Sequence, residues 1–195
     1  MTLHLTTEER ALLAGDHGEA VSLAMRILVS AAELLGAQAL VRITSAHIDG
    51  CLHHGDGGVE FAEKLVATGG RVVVPTTLNV GALDLLHPDT VRADPSKLAM
   101  ARRQMDAYVS MGAEPTFTCA PYQIGHQPAF GEQVAWGESN AIAFANSVLG
   151  ARTERYGDFL DACCALVGRA PLHGLHIEEN RQATVVVDTT NVPDA

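Results

Sequence analysis

The chain has 195 residues, 47% of them apolar and only 5% aromatic, and a formal net charge of -10. That length suits one domain with an aliphatic, alanine-rich core, while the acidic balance and scattered Lys and Arg argue against nucleic acid or an anionic membrane surface as partner. No apolar run is long enough to span a membrane, and Met1 to His4 lacks the basic, then apolar, start of a secretory signal, so the chain is expected to be cytoplasmic. Its cysteines, Cys51, Cys119, Cys163 and Cys164, are then expected as thiols rather than disulfides.

Thr6-Thr7-Glu8-Glu9 is a capping box that starts a short helix. Residues 19–35 place Ala20, Ala24, Ile27, Ala31 and Leu34/Leu35 at helical spacing, and Gly36 stops them. Residues 39–44 read as a strand, 58–68 as a helix ended by Gly69-Gly70, and 71–74 as a second strand ended by Pro75. Asp94-Pro95 opens a helix with the stripe Leu98, Ala101, Met105 and Tyr108. Thr116-Phe117-Thr118 reads as a third strand. Ser139 is expected to cap a helix running to Leu149, Asp158 to cap another ending near Gly168, and Ala183 to Val187 to form a terminal strand before a polar tail, 188–195. Helices alternating with strands predict an α/β layer on a mainly parallel sheet over residues 1–187.

Chemistry collects after the expected strands. The first runs into Ser45-Ala46-His47-Ile48-Asp49-Gly50-Cys51, the second into Pro75-Thr76-Thr77-Leu78-Asn79, the third into Cys119-Ala120-Pro121-Tyr122-Gln123. In parallel sheets, ligands bind beyond the carboxyl ends of strands. Each loop also has an ordinary account: local hydroxyl bonds at Thr76 and Thr77, a satisfied histidine in a turn, a small buried cysteine. Their coincidence favours a site. Glu138-Ser139-Asn140 is either an anion contact at a helix start or a plain cap, and Gly15-Asp16-His17-Gly18 either a ligand loop or a turn between helices. Cys163 and Cys164 lie in an apolar helix and read as core. The chain has no HExxH and no CxxC, and the adjacent His53 and His54 diverge too much to share one ion.

Together the stretches GDHGEA (15–20), SAHIDGC (45–51), GDGGVEFAEKL (55–65), VPTTLNVGALDL (74–85), TCAPYQ (118–123), GEQVAWGESNAIAFANSVLGARTERYGDF (131–159) and GRAPLHGLH (168–176) resemble the aconitase X family. The resemblance implies an aconitase-like α/β fold, an iron–sulfur cluster and a hydro-lyase that dehydrates a small hydroxy acid. Bacterial members act on cis-3-hydroxy-L-proline and archaeal ones on a phosphorylated mevalonate. The AHIDGC form is closer to the bacterial type. Family catalytic regions are longer than this chain and continue into a small swivelling domain, fused or as a separate subunit. The chain is therefore expected to be incomplete, with further cluster ligands outside it.

On that resemblance, Cys119 and Cys51 are expected as metal ligands, His47, Asp49 and Ser139 as catalytic residues, and Thr76, Thr77, Asn79 and Asn140 as substrate contacts. Two rival accounts are a metal-dependent hydrolase using His47, Asp49, His53 and His54, and a non-catalytic domain that acts only with a partner.

Overall fold

The computed structural model describes residues 2–50, 55–80, 83–156, 158–188 and 190. The first helix, α1 (Thr7–Ala14), starts at the expected capping box: Thr6 N donates to Glu9 Oε2 at 2.8 Å and Glu9 N to Thr6 Oγ1 at 3.2 Å. Gly15, at φ 97°, ends it in the left-handed conformation that a residue with a Cβ resists. Gly15 to Gly18 is thus the turn into α2 (Glu19–Leu34), whose buried stripe includes Ala20, Ala24, Met25, Leu28 and Ala32.

The expected first strand divides in two. Leu40–Arg42 (β1) pairs antiparallel with Arg169–Pro171 (β6), a strand no periodicity announced. Thr44 N then bonds Gln133 O, and the chain enters a different sheet as Ala46–Gly50 (β2). After α3 (Asp56–Ala67) comes a further difference: residues 71–74 form no strand. Val72 N bonds Met111 O and Val73 N bonds Ala165 O, so successive amides serve different elements and no ladder forms. The strand begins where it was expected to stop, at Thr76–Val80 (β3).

Helix α4 (Pro95–Ser110) has Asp94 as its cap, bonded to Ser96 N at 2.8 Å. Strand β4 is only Glu114–Pro115, short of the expected Thr116–Thr118. Thr116 N and Phe117 N both turn to Leu78 O, and Phe117 takes φ 53°, which breaks the extended path. Ala135–Trp136 (β5) completes the four-stranded sheet, order β4-β3-β2-β5, all parallel. Helix α5 (Ser139–Phe144) widens into a π turn over Ala145–Leu149 that stops at Gly150. Helix α6 (Asp158–Val167) packs against α2 and β2. Ala183 to Val187 makes no strand, and Val185, Val186 and Val187 are exposed. No helix of the described residues is long and apolar enough to cross a membrane.

The two faces of the parallel sheet differ because side chains alternate along a strand. Ala46, Ile48, Leu78 and Ala135 enter the main core with Met25, Leu28, Leu65, Cys163, Cys164 and Leu166. On the other face a smaller cluster gathers Val134, Trp136, Ala141, Ala145 and Ala151. His47, Asp49, Thr77 and Asn79 belong to that second face, since they alternate with the core residues of β2 and β3.

A second buried polar group lies near the end of the domain. His176, 1% exposed, bonds Gln133 Oε1 through Nδ1 at 2.6 Å and the Tyr156 hydroxyl through Nε2. Neutral imidazole with its proton on Nδ1 satisfies both partners, Tyr156 donating to Nε2. Burial, then the nearby His173, lowers the His176 pKa from 6.5 to about 4. The unfolded chain therefore binds the extra proton first as pH falls. The stabilisation is fully present above pH 6.5 and is lost on acidification toward pH 4, a swing of up to about 3 kcal/mol. Urea midpoints measured across that window should fall with pH, and His176→Gln should flatten the dependence.

Candidate functional site

A carboxylate organises the second face of the sheet. Glu138 follows β5 and Gly137, and its Oε2 lies 2.9 Å from His47 Nε2. Asn79 Nδ2 donates to both carboxylate oxygens, at 3.0 and 3.1 Å. The other nitrogen of His47, Nδ1, is 2.7 Å from Thr77 Oγ1. Parallel register explains the convergence: His47 pairs with Thr77 and Trp136, and Asp49 with Asn79. Each row across β2 and β3 places polar side chains side by side, and Glu138, two residues beyond Trp136, lies over them.

Burial grades across this group. His47 is wholly buried, Thr77 is 3% exposed, Asn79 7% and Glu138 9%, while Asp49 is half-buried. Glu138 thus keeps the most exposed surface in the Thr77–His47–Glu138 series. Gly137 allows it: a Cβ there would come 2.6 and 2.8 Å from the carboxylate oxygens of the buried Asp161.

The segment Glu138 to Asn140 also reaches the thiol. Asn140 Nδ2 donates to Cys119 Sγ at 3.2 Å. Cys119 is half-buried, in the turn that Phe117 bends away from β4. Beside this region, at the amino-terminal end of the strands, a cavity of about 230 Å³ is lined by Ser45, Thr77, His126, Glu132 and Trp136 among others.

Most of the expected site residues therefore come together, with changed positions. His47, Asp49, Thr77 and Asn79 lie within strands rather than in loops beyond them. Thr76 alternates to the opposite face, where its hydroxyl donates to Val74 O at 2.8 Å. Ser139 is not the cap: Glu138 holds that position, Ser139 is the first helical residue, and both Ser139 and Asn140 are exposed. Cys51, His53 and His54 lie outside the described residues. Glu138 stood in the sequence only as part of a helix start. Its partnership with His47 spans 91 residues and leaves no local signal. The available hint was the matched alternation of polar residues in His47-Ile48-Asp49 and Thr77-Leu78-Asn79.

The thiols of the described residues do not make a cluster site by themselves. Cys163 and Cys164 are wholly buried in the main core. Burial, then nearby Asp161, pushes the Cys163 thiol up to about 12, and the Cys164 thiol is also raised well above its ordinary value. Among the described residues only Cys119 is placed to offer a thiolate, and no group of three or more His, Cys, Asp or Glu has the arrangement of a metal site.

Residues 2–179 match the family described as Aconitase X first domain. The cis-3-hydroxy-L-proline dehydratase of Pseudomonas aeruginosa is 51% identical over 94% of this chain and 32% of its own length. That of Hypocrea jecorina is 49% identical over 96% of this chain and 32% of its own length. The phosphomevalonate dehydratase large subunit of Thermococcus kodakarensis is 42% identical, over 95% of this chain and 46% of its own. A crystal structure of Thermococcus kodakaraensis aconitase X in the holo form aligns with a TM-score of 0.81 at 39% identity, covering 93% of this chain and 45% of that one. The chain spans a third to a half of the length of these relatives.

Two outcomes are expected. Gly137→Ala should cost about 1–3 kcal/mol in urea unfolding, because the new methyl meets the Asp161 carboxylate. In a Cys51→Ser background, Asn140→Ala should slow iodoacetamide alkylation of Cys119 about fivefold, the equivalent of one lost hydrogen bond to the sulfur. Mass spectrometry of the modified chain measures this, since the buried Cys163 and Cys164 stay protonated and unreactive.

Proposed function

The chain belongs to the aconitase X family, and from that premise we propose that it is the first part of a hydro-lyase that dehydrates cis-3-hydroxy-L-proline. The observation that carries the reaction class is the convergence of Thr77, His47, Asn79 and Glu138 on one face of a parallel sheet, beside Asp49. Dehydration needs a group to take the proton next to the carboxylate and a way for the neighbouring hydroxyl to leave. A buried carboxylate fed by histidine and amide donors meets the first need. The substrate assignment is supported by the higher identity to the hydroxyproline dehydratases than to the Thermococcus kodakarensis large subunit.

Cys119 is a thiolate that this chain contributes to an iron–sulfur cluster, with Asn140 holding its sulfur in place. The other ligands come from Cys51 or from a region outside this chain, such as a longer catalytic region or a small swivelling subunit. Asp49 and the exposed Ser139 face the substrate, while the donors on the strands serve Glu138. The first product is an enamine that tautomerises to a pyrroline carboxylate. The second reading is a phosphomevalonate dehydratase subunit, which the coverage of nearly half that relative supports.

The test is turnover of cis-3-hydroxy-L-proline and of phosphomevalonate by the anaerobically purified holoenzyme. Formation of a cyclic imine, trapped with 2-aminobenzaldehyde, is expected for the first substrate alone. Turnover of phosphomevalonate alone would reverse the assignment. Cys119→Ser should remove the visible cluster absorbance and its iron. If iron and absorbance survive, Cys119 is not a ligand.

A further inference from the structure

Among the site residues, Glu138 is where the buried hydrogen bonds end. A carboxylate only accepts, so the 2.9 Å contact places the His47 proton on Nε2. In the neutral ring Nδ1 is then an acceptor, and the only hydrogen at the 2.7 Å contact is that of the Thr77 hydroxyl. The series therefore runs in one direction, Thr77 to His47 to Glu138. Asn79 adds its amide to both oxygens. His47 and Asn79 donate to this carboxylate directly, and Thr77 reaches it through His47.

Accessibility separates the roles. His47 has no exposed surface, with Thr77 on one side and Glu138 on the other, so a substrate cannot touch the ring without displacing one of them. Glu138 keeps 9% of its surface open. We propose that Glu138, rather than His47, accepts the substrate proton, and that His47, Thr77 and Asn79 are positioning residues that act through it. This rests on the dehydratase reading above.

The step balances within the substrate. The bond from hydrogen to the carbon bearing the carboxylate breaks, and the proton passes to a Glu138 oxygen. Its electron pair becomes the new carbon–carbon double bond as the neighbouring carbon–oxygen bond breaks. The proton taken and the hydroxide released add up to the water that is lost. No outside oxidant or reductant is required.

Two readouts separate this inference from the reading beneath it. Nitrogen-15 NMR of the imidazole in the 195-residue chain should show the His47 proton on Nε2, with Thr77→Val leaving it there and Glu138→Gln, whose amide can accept or donate, mixing the tautomers. A proton fixed on Nδ1 in the unaltered chain would overturn the proposed direction, whether or not the chain turns over any substrate. In the holoenzyme, Glu138→Gln should lower kcat about 100-fold or more with KM little changed. It should also stop exchange of the substrate α-hydrogen with deuterated water. Thr77→Val should lower kcat about tenfold, and Thr77→Ser should recover it. Retained kcat and exchange in Glu138→Gln would overturn the assignment of the acceptor. Absence of turnover in the unaltered holoenzyme would instead sink the substrate assignment, and the imidazole spectrum would then decide the direction of the hydrogen bonds by itself.

Discussion

The rest of the site depends on one constraint: a carboxylate that is nine-tenths out of water must be met by donors. Glu138 is met by His47 from β2 and Asn79 from β3. Remove it, and His47 Nε2 and the Asn79 amide lose their partner in the same dry space, at about 1–3 kcal/mol for each group left unmade. The site is thus held by its own hydrogen bonds beside the small apolar cluster around Trp136, while the opposite face is held by apolar packing from α2 and α6. The strands join two interiors of different chemistry, and the alternation of side chains along each strand keeps them apart.

The cover over the polar face is built with similar economy. Strand β5 is two residues long, and on its outer side Thr153 takes the place of a further strand. Its hydroxyl accepts from Trp136 N at 3.0 Å and donates to Trp136 O at 3.1 Å. Thr153 is completely buried, so this substitute for a ladder is shielded from water. The π turn after α5 leaves Asn146 free to bond Ile142 O and Thr153 O at 3.0 Å, and Arg181 donates to Asn146 in turn. These contacts fix the helix whose first turn carries Asn140 to the Cys119 sulfur.

What could be read from the sequence follows how local each signal is. The helices carry their caps and periods within a few residues. Thr6 with Glu9, Asp94 with Pro95, and the stripe of α2 were therefore legible. Strand limits were not, because they depend on which distant carbonyl an amide finds. Val72 and Val73 look like a strand but donate to the residue that ends α4 and to α6, while Thr76 to Val80 looks like a loop and finds β2. His47, Thr77 and Asn79 could be singled out from their types, and the sheet brings them together. The partnership of Glu138 could not be, because nothing near it in the chain specifies His47. Thr76 shows the same limit from the other side: one position of register sends its hydroxyl away from the site.

The pairing of β1 with β6 has a consequence for how the domain assembles. Leu40 meets Pro171, and α6 supplies the packing for both α2 and β2. During synthesis, the apolar surfaces of α2 and β2 therefore emerge from the ribosome long before residues 158–171, which cover them, exist. Closure must wait for more than three-quarters of the chain, and its contacts span large sequence separations, which slows folding and prolongs exposure. A premature stop before residue 158 leaves a product with an uncovered core rather than a smaller folded unit.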